Sequence, residues 1–175
     1  MDWNPERYLR FRGARIQAVL DLISRLAPSV DAARLRRIVD LGCGPGNSSD
    51  VLAGQWPAAE VIGIDISATM LEAARRAYPE RRFLAADLTA WADHDHQLWD
   101  LVFSNSALQW IPDHVALLPK LMQRVSPGGW LAFQVPGSVT APVCQIPREL
   151  AARPEWRQYF PEGTIQEWNA APLSA

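Results

Sequence analysis

The chain is poor in cysteine and histidine and has no surplus of either charge. Its 175 residues include two cysteines and three histidines. Cys43 and Cys144 stand far apart and fit neither a disulfide framework nor a zinc spacing, so reduced thiols and a cytoplasmic location are expected. Seventeen Lys and Arg against nineteen Asp and Glu leave a formal charge of −2. That balance lacks the basic footprint of a nucleic-acid binder, and no nucleic-acid partner is expected. No apolar run approaches the ~20 residues that span a bilayer. The opening Met1-Asp2-Trp3-Asn4-Pro5-Glu6 has no basic stretch followed by an apolar one, so neither a leader nor a membrane partner is expected. A strand pattern is also lacking after Val135.

The composition is otherwise that of a folded domain, with 49% hydrophobic and 21% charged residues. One domain over 1–175 is expected, large enough to bury roughly 70% of the surface its unfolded chain exposes. Ile16, Val19, Leu20, Ile23 and Leu26 recur at helical spacing up to Pro28. Arg37–Leu41 is a short apolar strand that runs into Gly42-Cys43-Gly44-Pro45-Gly46, with a helix expected at Asn47–Gln55. A second strand is expected over 61–65, and Ser67 caps a helix through Met70, Leu71, Ala74 and Ala77. Segments 82–87 and 99–104 read as strands three and four. Asp113 caps a helix through Leu117, Leu118, Leu121 and Val125. Ser126-Pro127-Gly128-Gly129 then turns the chain into a fifth strand over 130–135. Strands alternating with helices predict an α/β fold, a doubly wound parallel sheet of about five strands in the order 3-2-1-4-5. The tail 137–175 is expected to be irregular or helical, with one helix over 147–160 broken at Pro154.

The loop after the first strand carries the chemistry. Glycines let a ligand approach backbone, and the helix behind them offers free N–H groups at the carboxyl edge of the sheet. A tight strand-to-helix turn would use the same residues. Asp65, ending strand two, faces the same crevice and can take the two hydroxyls of a ribose. Asp87, ending strand three, can accept from an adenine amino group. Three strand ends thus converge on a nucleoside-shaped site. A dinucleotide fingerprint G-x-G-x-x-G would put its last glycine at Asn47, whereas here glycine falls at Gly46. That shift speaks against a nicotinamide-dependent oxidoreductase, which stays as an alternative.

The G-x-G-x-G pattern behind Asp40 resembles the first motif of Rossmann-like methyltransferases that use S-adenosylmethionine. The resemblance narrows with Trp3-Asn4-Pro5, Tyr8 and Phe11, with Gly63-Ile64-Asp65, and with Ser104-Asn105 leading into Leu108-Gln109-Trp110-Ile111-Pro112-Asp113-His114. These segments look like the trans-aconitate methyltransferase family, from about Asp2 to Pro136. The resemblance implies S-adenosylmethionine as cofactor, held by Asp40, Gly42, Cys43, Gly44, Asn47, Asp65, Ile66, Met70, Asp87, Leu88, Ser104 and Asn105. It implies methyl transfer to a carboxylate of a small polycarboxylic acid such as trans-aconitate.

It further implies that 1–30 is a helical lid, that 37–136 is the cofactor-binding core, and that strands six and seven of the family's sheet are missing. Such a shortened chain is expected to pair through the bare edge of strand five into a homo-oligomer, and could bind cofactor without turnover.

An ionised carboxylate acceptor needs no general base, so no catalytic side chain is expected. It does need cationic, orienting groups, and arginine's planar fork suits them. Arg7 and Arg12, with Tyr8, Gln109 and Trp110, are the acceptor-binding candidates, in a segment that also holds Arg10 and Arg15. The same arginines suit a solvated helix face, and Trp110 suits a core position. His94 and His96 read as a solvated loop, and no metal is expected.

Overall fold

The computed structural model describes residues 4–111, 113–136 and 142–159. Trp3 and Pro112, which carried part of the resemblance, lie outside them, as do 137–141 and 160–175 of the tail.

Five parallel strands form one sheet in the order β3-β2-β1-β4-β5. They are β1 (Arg37–Leu41), β2 (Glu60–Asp65), β3 (Arg82–Ala85), β4 (Trp99–Asn105) and β5 (Val125–Gln134). β1 is flanked on both sides, with Val39 opposite Ile62 of β2 and Val102 of β4. Its residues alternate between two apolar layers, because successive side chains leave opposite faces of a sheet. Ile38, Leu101 and Phe103 pack with Val19, Ile23 and Leu52 on one face. These come from α2 (Arg12–Leu26) and α3 (Asn47–Gln55). Val39, Leu41 and Val102 pack with Leu88, Leu117 and Leu121 on the other face. These come from α5 (Leu88–His94) and α6 (His114–Met122). Each fully buried Leu or Ile contributes roughly 1.5–3 kcal/mol of transfer free energy, so the central strands anchor the fold.

α1 (Pro5–Leu9) precedes α2, with Asn4 as its N-cap accepting from the Arg7 N–H at 3.0 Å. α4 (Ala68–Ala77) is capped by Ser67, as its sequence predicts. α7 (Pro142–Ala152) and α8 (Pro154–Arg157) end the described chain. The break at Pro154 stands where expected, but the first of these helices starts five residues before the expected 147.

Three local readings are corrected. Strand three stops at Ala85, because Asp87 turns into the N-cap of α5, accepting from the Thr89 and Ala90 N–H groups. α6 ends at Met122, and Val125 belongs to β5 instead. β5 contains the 126–129 segment as a bulge: Val125 pairs with Trp99, and pairing resumes with Trp130 opposite Leu101. The extra residues leave the ladder and return to it, as bulges do. The outer edge of β5 has no strand partner among the described residues.

Candidate functional site

A cavity of about 270 Å³ opens at the carboxyl ends of β1, β2 and β4, where open α/β sheets place their ligands. Its floor is the glycine loop. Gly42 sits at φ +72, and a Cβ there would stand 2.2 Å from the Ala107 Cβ, so only glycine fits. Gly44, at φ +54, meets nothing within 4 Å and leaves its backbone open to the cavity. The loop is held from β2: the Gly42 and Cys43 N–H groups both donate to the Ile64 carbonyl, at 2.8 and 3.0 Å.

Asp65 completes this anchoring. Its Oδ2 accepts from the Gly44 N–H and its Oδ1 from the Ser67 N–H, both at 2.8 Å. A carboxylate has about four acceptor positions, so capacity remains toward the cavity that it lines. Ile66 and Met70, at the start of the α4 region, form an apolar wall. Asp87 and Leu88 line the next stretch; Asp87 spends Oδ1 on its own helix cap.

The far wall is Asn105, Ser106, Ala107, Trp110 and Ile111. Ser106 has a positive φ of 54, a strained conformation for a residue with a Cβ, and it brings the chain back across the strand end. Gln134 of β5 supports this wall, donating to Asn105 Oδ1 at 2.7 Å and to the Ala18 carbonyl of α2 at 2.6 Å. Ser106 lies in the 104–114 segment that carries the resemblance, with no role expected of it there. Gln134 lies in no motif, and only the pairing of β4 with β5 brings it to this wall.

Several predicted residues stand behind the cavity. Asp40 is fully buried, and its Oδ2 accepts from the Ser48 and Ser49 hydroxyls, both at 2.6 Å. It braces the loop and the start of α3 from below. Burial pushes its carboxyl up to about 6, against the pull of those two hydroxyls. Ser104 is also fully buried, and its hydroxyl donates to the Leu41 carbonyl at 2.9 Å. The Cys43 thiol is buried in the loop, and burial together with the nearby Asp40 and Asp65 raises its pKa well above the ordinary value. That environment suits packing, not a nucleophile.

Of the acceptor candidates, Tyr8 and Trp110 line the cavity. Gln109 is buried and donates to the Ser106 carbonyl at 2.8 Å, so it supports the wall. Arg7 and Arg12 are exposed and line neither the main cavity nor the crevice beside it; Arg12 donates to the Tyr78 hydroxyl at 3.1 Å. The N-terminal arginine that turns inward is Arg15, whose guanidinium lies 3.9 Å from the centre of the Tyr8 ring. Helical rotation decides this: Arg15 and Val19 lie one turn apart on the face of α2 that packs on the sheet.

Residues 38–129 match a family described as a methyltransferase domain. The chain belongs to that family. Two relatives, both trans-aconitate 2-methyltransferases, support a closer affinity. The protein of Variovorax paradoxus (strain S110) is 43% identical over 158 residues, covering 90% of this chain and 59% of that protein. The protein of Azoarcus sp. (strain BH72) is 46% identical over 147 residues, covering 84% and 56%. The chain thus spans less than two thirds of the length of the curated relatives it matches. Among solved structures, an S-adenosylmethionine-dependent methyltransferase from Mesorhizobium loti aligns with a TM-score of 0.52 at 32% identity, covering 65% of this chain and 53% of that one. The glycine loop, the Asp65 carboxylate at the end of β2 and the end of β4, which the cavity draws together, all lie within the matched residues.

Proposed function

We propose that this methyltransferase domain binds S-adenosylmethionine in the cavity and directs methyl transfer to a carboxylate of a small polycarboxylic acid such as trans-aconitate. The observation that carries the reading is the convergence of open backbone at Gly44, the partly committed carboxylate of Asp65 and the apolar wall of Ile66, Met70 and Leu88. A nucleoside needs all three: an acceptor for ribose hydroxyls, flat apolar surface for a base, and room at the loop. The trans-aconitate 2-methyltransferase relatives support the acceptor class.

When bound, the cofactor would supply an electrophilic methyl group on a sulfonium. Asp65 would hold ribose hydroxyls, Leu88 and Met70 would enclose the base, and Asp87 would face its amino group. Asn105 and Ser106 would bound the place where acceptor and methyl meet. The protein's work is alignment and exclusion of water, which lower the barrier without a proton transfer, because the acceptor carboxylate is already ionised. Tyr8, from α1, lines the cavity, which supports a reading of 1–30 as a helical lid over a core of 37–136.

No helix among the described residues is long and apolar enough to cross a membrane. A cytoplasmic setting and pairing of two copies along the bare edge of β5 belong to the same reading; light scattering tests the second. The deciding experiment incubates the chain with methyl-labelled cofactor and trans-aconitate and looks for the methyl ester. Ester formation supports the full reading. Stabilisation by S-adenosylhomocysteine without ester leaves a cofactor-binding domain, and stabilisation by NAD alone overturns both.

A further inference from the structure

The Gln134 amide fixes which end of the Asn105 side chain serves the cavity. Its Nε2 donates twice, to the Ala18 carbonyl of α2 at 2.6 Å and to Asn105 Oδ1 at 2.7 Å. A main-chain carbonyl only accepts, so the Gln134 atom that faces Ala18 must be the nitrogen. That nitrogen has two hydrogens, and the second goes to Asn105. Asn105 therefore answers with its oxygen, which leaves Nδ2 as the end of its amide that can serve a ligand. The strands hold the pair at this spacing. Asn105 and Gln134 stand opposite each other on β4 and β5, and the Ser106 N–H donates to the Gln134 carbonyl at 2.9 Å.

Asn105 lines the cavity with Ser106, Ala107, Trp110 and Ile111, and none of these carries a carboxylate. The cavity's acids, Asp65 and Asp87, come from the β2 and β3 side, across β1 in the sheet. Such a donor wall treats two kinds of methyl acceptor differently. A carboxylate is ionised and offers only lone pairs, so one oxygen takes the Nδ2 hydrogen bond while the other stays free to attack. An aliphatic amine is protonated at neutral pH, so it meets a donor with donors and finds no carboxylate at this wall to take its proton.

We propose that Gln134 is a positioning residue that sets this choice: anchored on α2, it locks Asn105 with Nδ2 toward the acceptor, and the β4 end thereby selects an oxygen nucleophile over an amine. The inference rests on the methyl transfer proposed above. In that transfer the free carboxylate oxygen bonds to the methyl carbon as the carbon–sulfur bond breaks, the bonding pair leaves on sulfur, and no proton moves.

Two measurements on the whole chain test it. The first needs no ligand: side-chain amide hydrogen exchange, followed by NMR on the assigned Asn and Gln resonances. Both Gln134 amide protons are bonded, and they are expected to exchange at least about tenfold more slowly than those of Asn105. Equal rates, or the reverse order, overturn the proposal.

The second titrates trans-aconitate into the chain saturated with S-adenosylhomocysteine. Gln134→Met keeps the length of the side chain and removes its amide. It is expected to weaken trans-aconitate by about 3- to 30-fold, with S-adenosylhomocysteine affinity changed by less than about twofold. In an Asn105→Ala background the same substitution is expected to cost nothing further, because the group it orients is gone. Asn105→Asp, which exchanges the donor for an acceptor of the same shape, is expected to weaken trans-aconitate more than Asn105→Ala does. Losses that add across the two sites, equal weakening of S-adenosylhomocysteine, or the opposite order of the Asn105 variants overturn the proposal. A native chain that does not bind trans-aconitate overturns the acceptor reading instead, and the exchange rates still decide the orientation of Asn105.

Discussion

Asp65 Oδ2 accepts from the Gly44 N–H at 2.8 Å, so the end of β2 and the loop after β1 form one rigid unit. Asp65→Ala removes this tie, the bond to Ser67 and the proposed ribose acceptor together. S-adenosylhomocysteine affinity is expected to fall by at least about tenfold, and stability by about 1–3 kcal/mol. Calorimetric titration and urea unfolding separate the two effects. Unchanged affinity would remove Asp65 from the site.

Gly42→Ala places a Cβ 2.2 Å from that of Ala107 at a φ of +72. The left-handed backbone alone costs about 1–2 kcal/mol, and the overlap adds to it. A loss of at least about 2 kcal/mol is expected on urea unfolding, together with weakened nucleoside binding. Gly44→Ala meets nothing within 4 Å, although it carries the backbone penalty at φ +54. It is therefore expected to cost less stability than Gly42→Ala.

Asp40 gives a pH dependence with a defined sign. Its carboxyl, raised by burial to about 6 from 3.8, holds its proton longer in the folded chain than in the unfolded one. This group's contribution to stability therefore falls as pH rises from about 4 to about 6, by up to about 3 kcal/mol. Asp40→Asn stays neutral and is expected to lack this slope. Urea unfolding of both proteins between pH 4 and 7 checks it: parallel curves would count against a buried, reluctant carboxyl.

Asp100 has the opposite sign. Partial burial would raise its pKa, but the Arg36 N–H, the Ser126 hydroxyl and the Arg37 N–H outweigh that and lower it. The bonds measure 2.8, 2.8 and 3.0 Å and tie the start of β1 to the bulge of β5. Stability from this group is present above the ordinary carboxylate range and lost as pH falls through the depressed value. Asp100→Ala is expected to cost about 1–3 kcal/mol at pH 7. That difference should shrink at acid pH.

The order of strands, the glycine loop and the strand-two end that carries Asp65 were legible because they depend on local signals. Apolar runs, glycine spacing and caps such as Ser67 act within a few residues, and right-handed crossovers leave little freedom in how such units stack. The extent of strand three was misread because Asp87 serves α5, whose short apolar stripe is weak beside the strand pattern before it. The bulge in β5 was read as a turn for a related reason: Ser126-Pro127-Gly128-Gly129 has turn chemistry, and only the pairing with β4 reveals that the strand continues on both sides.

The sequence alone determined the fold class, the position of the glycine loop and the resemblance to the methyltransferase family. Tertiary structure decided which polar groups face the cavity. Asp40 and Ser104 lie in strands whose ends reach the site, yet both are fully buried, because alternate residues of a strand point away from it. Arg7, Arg12 and Arg15 are equivalent in composition. Only the packing of α2 on the sheet turned Arg15 inward over Tyr8, since a charge joins a site through the face its helix buries.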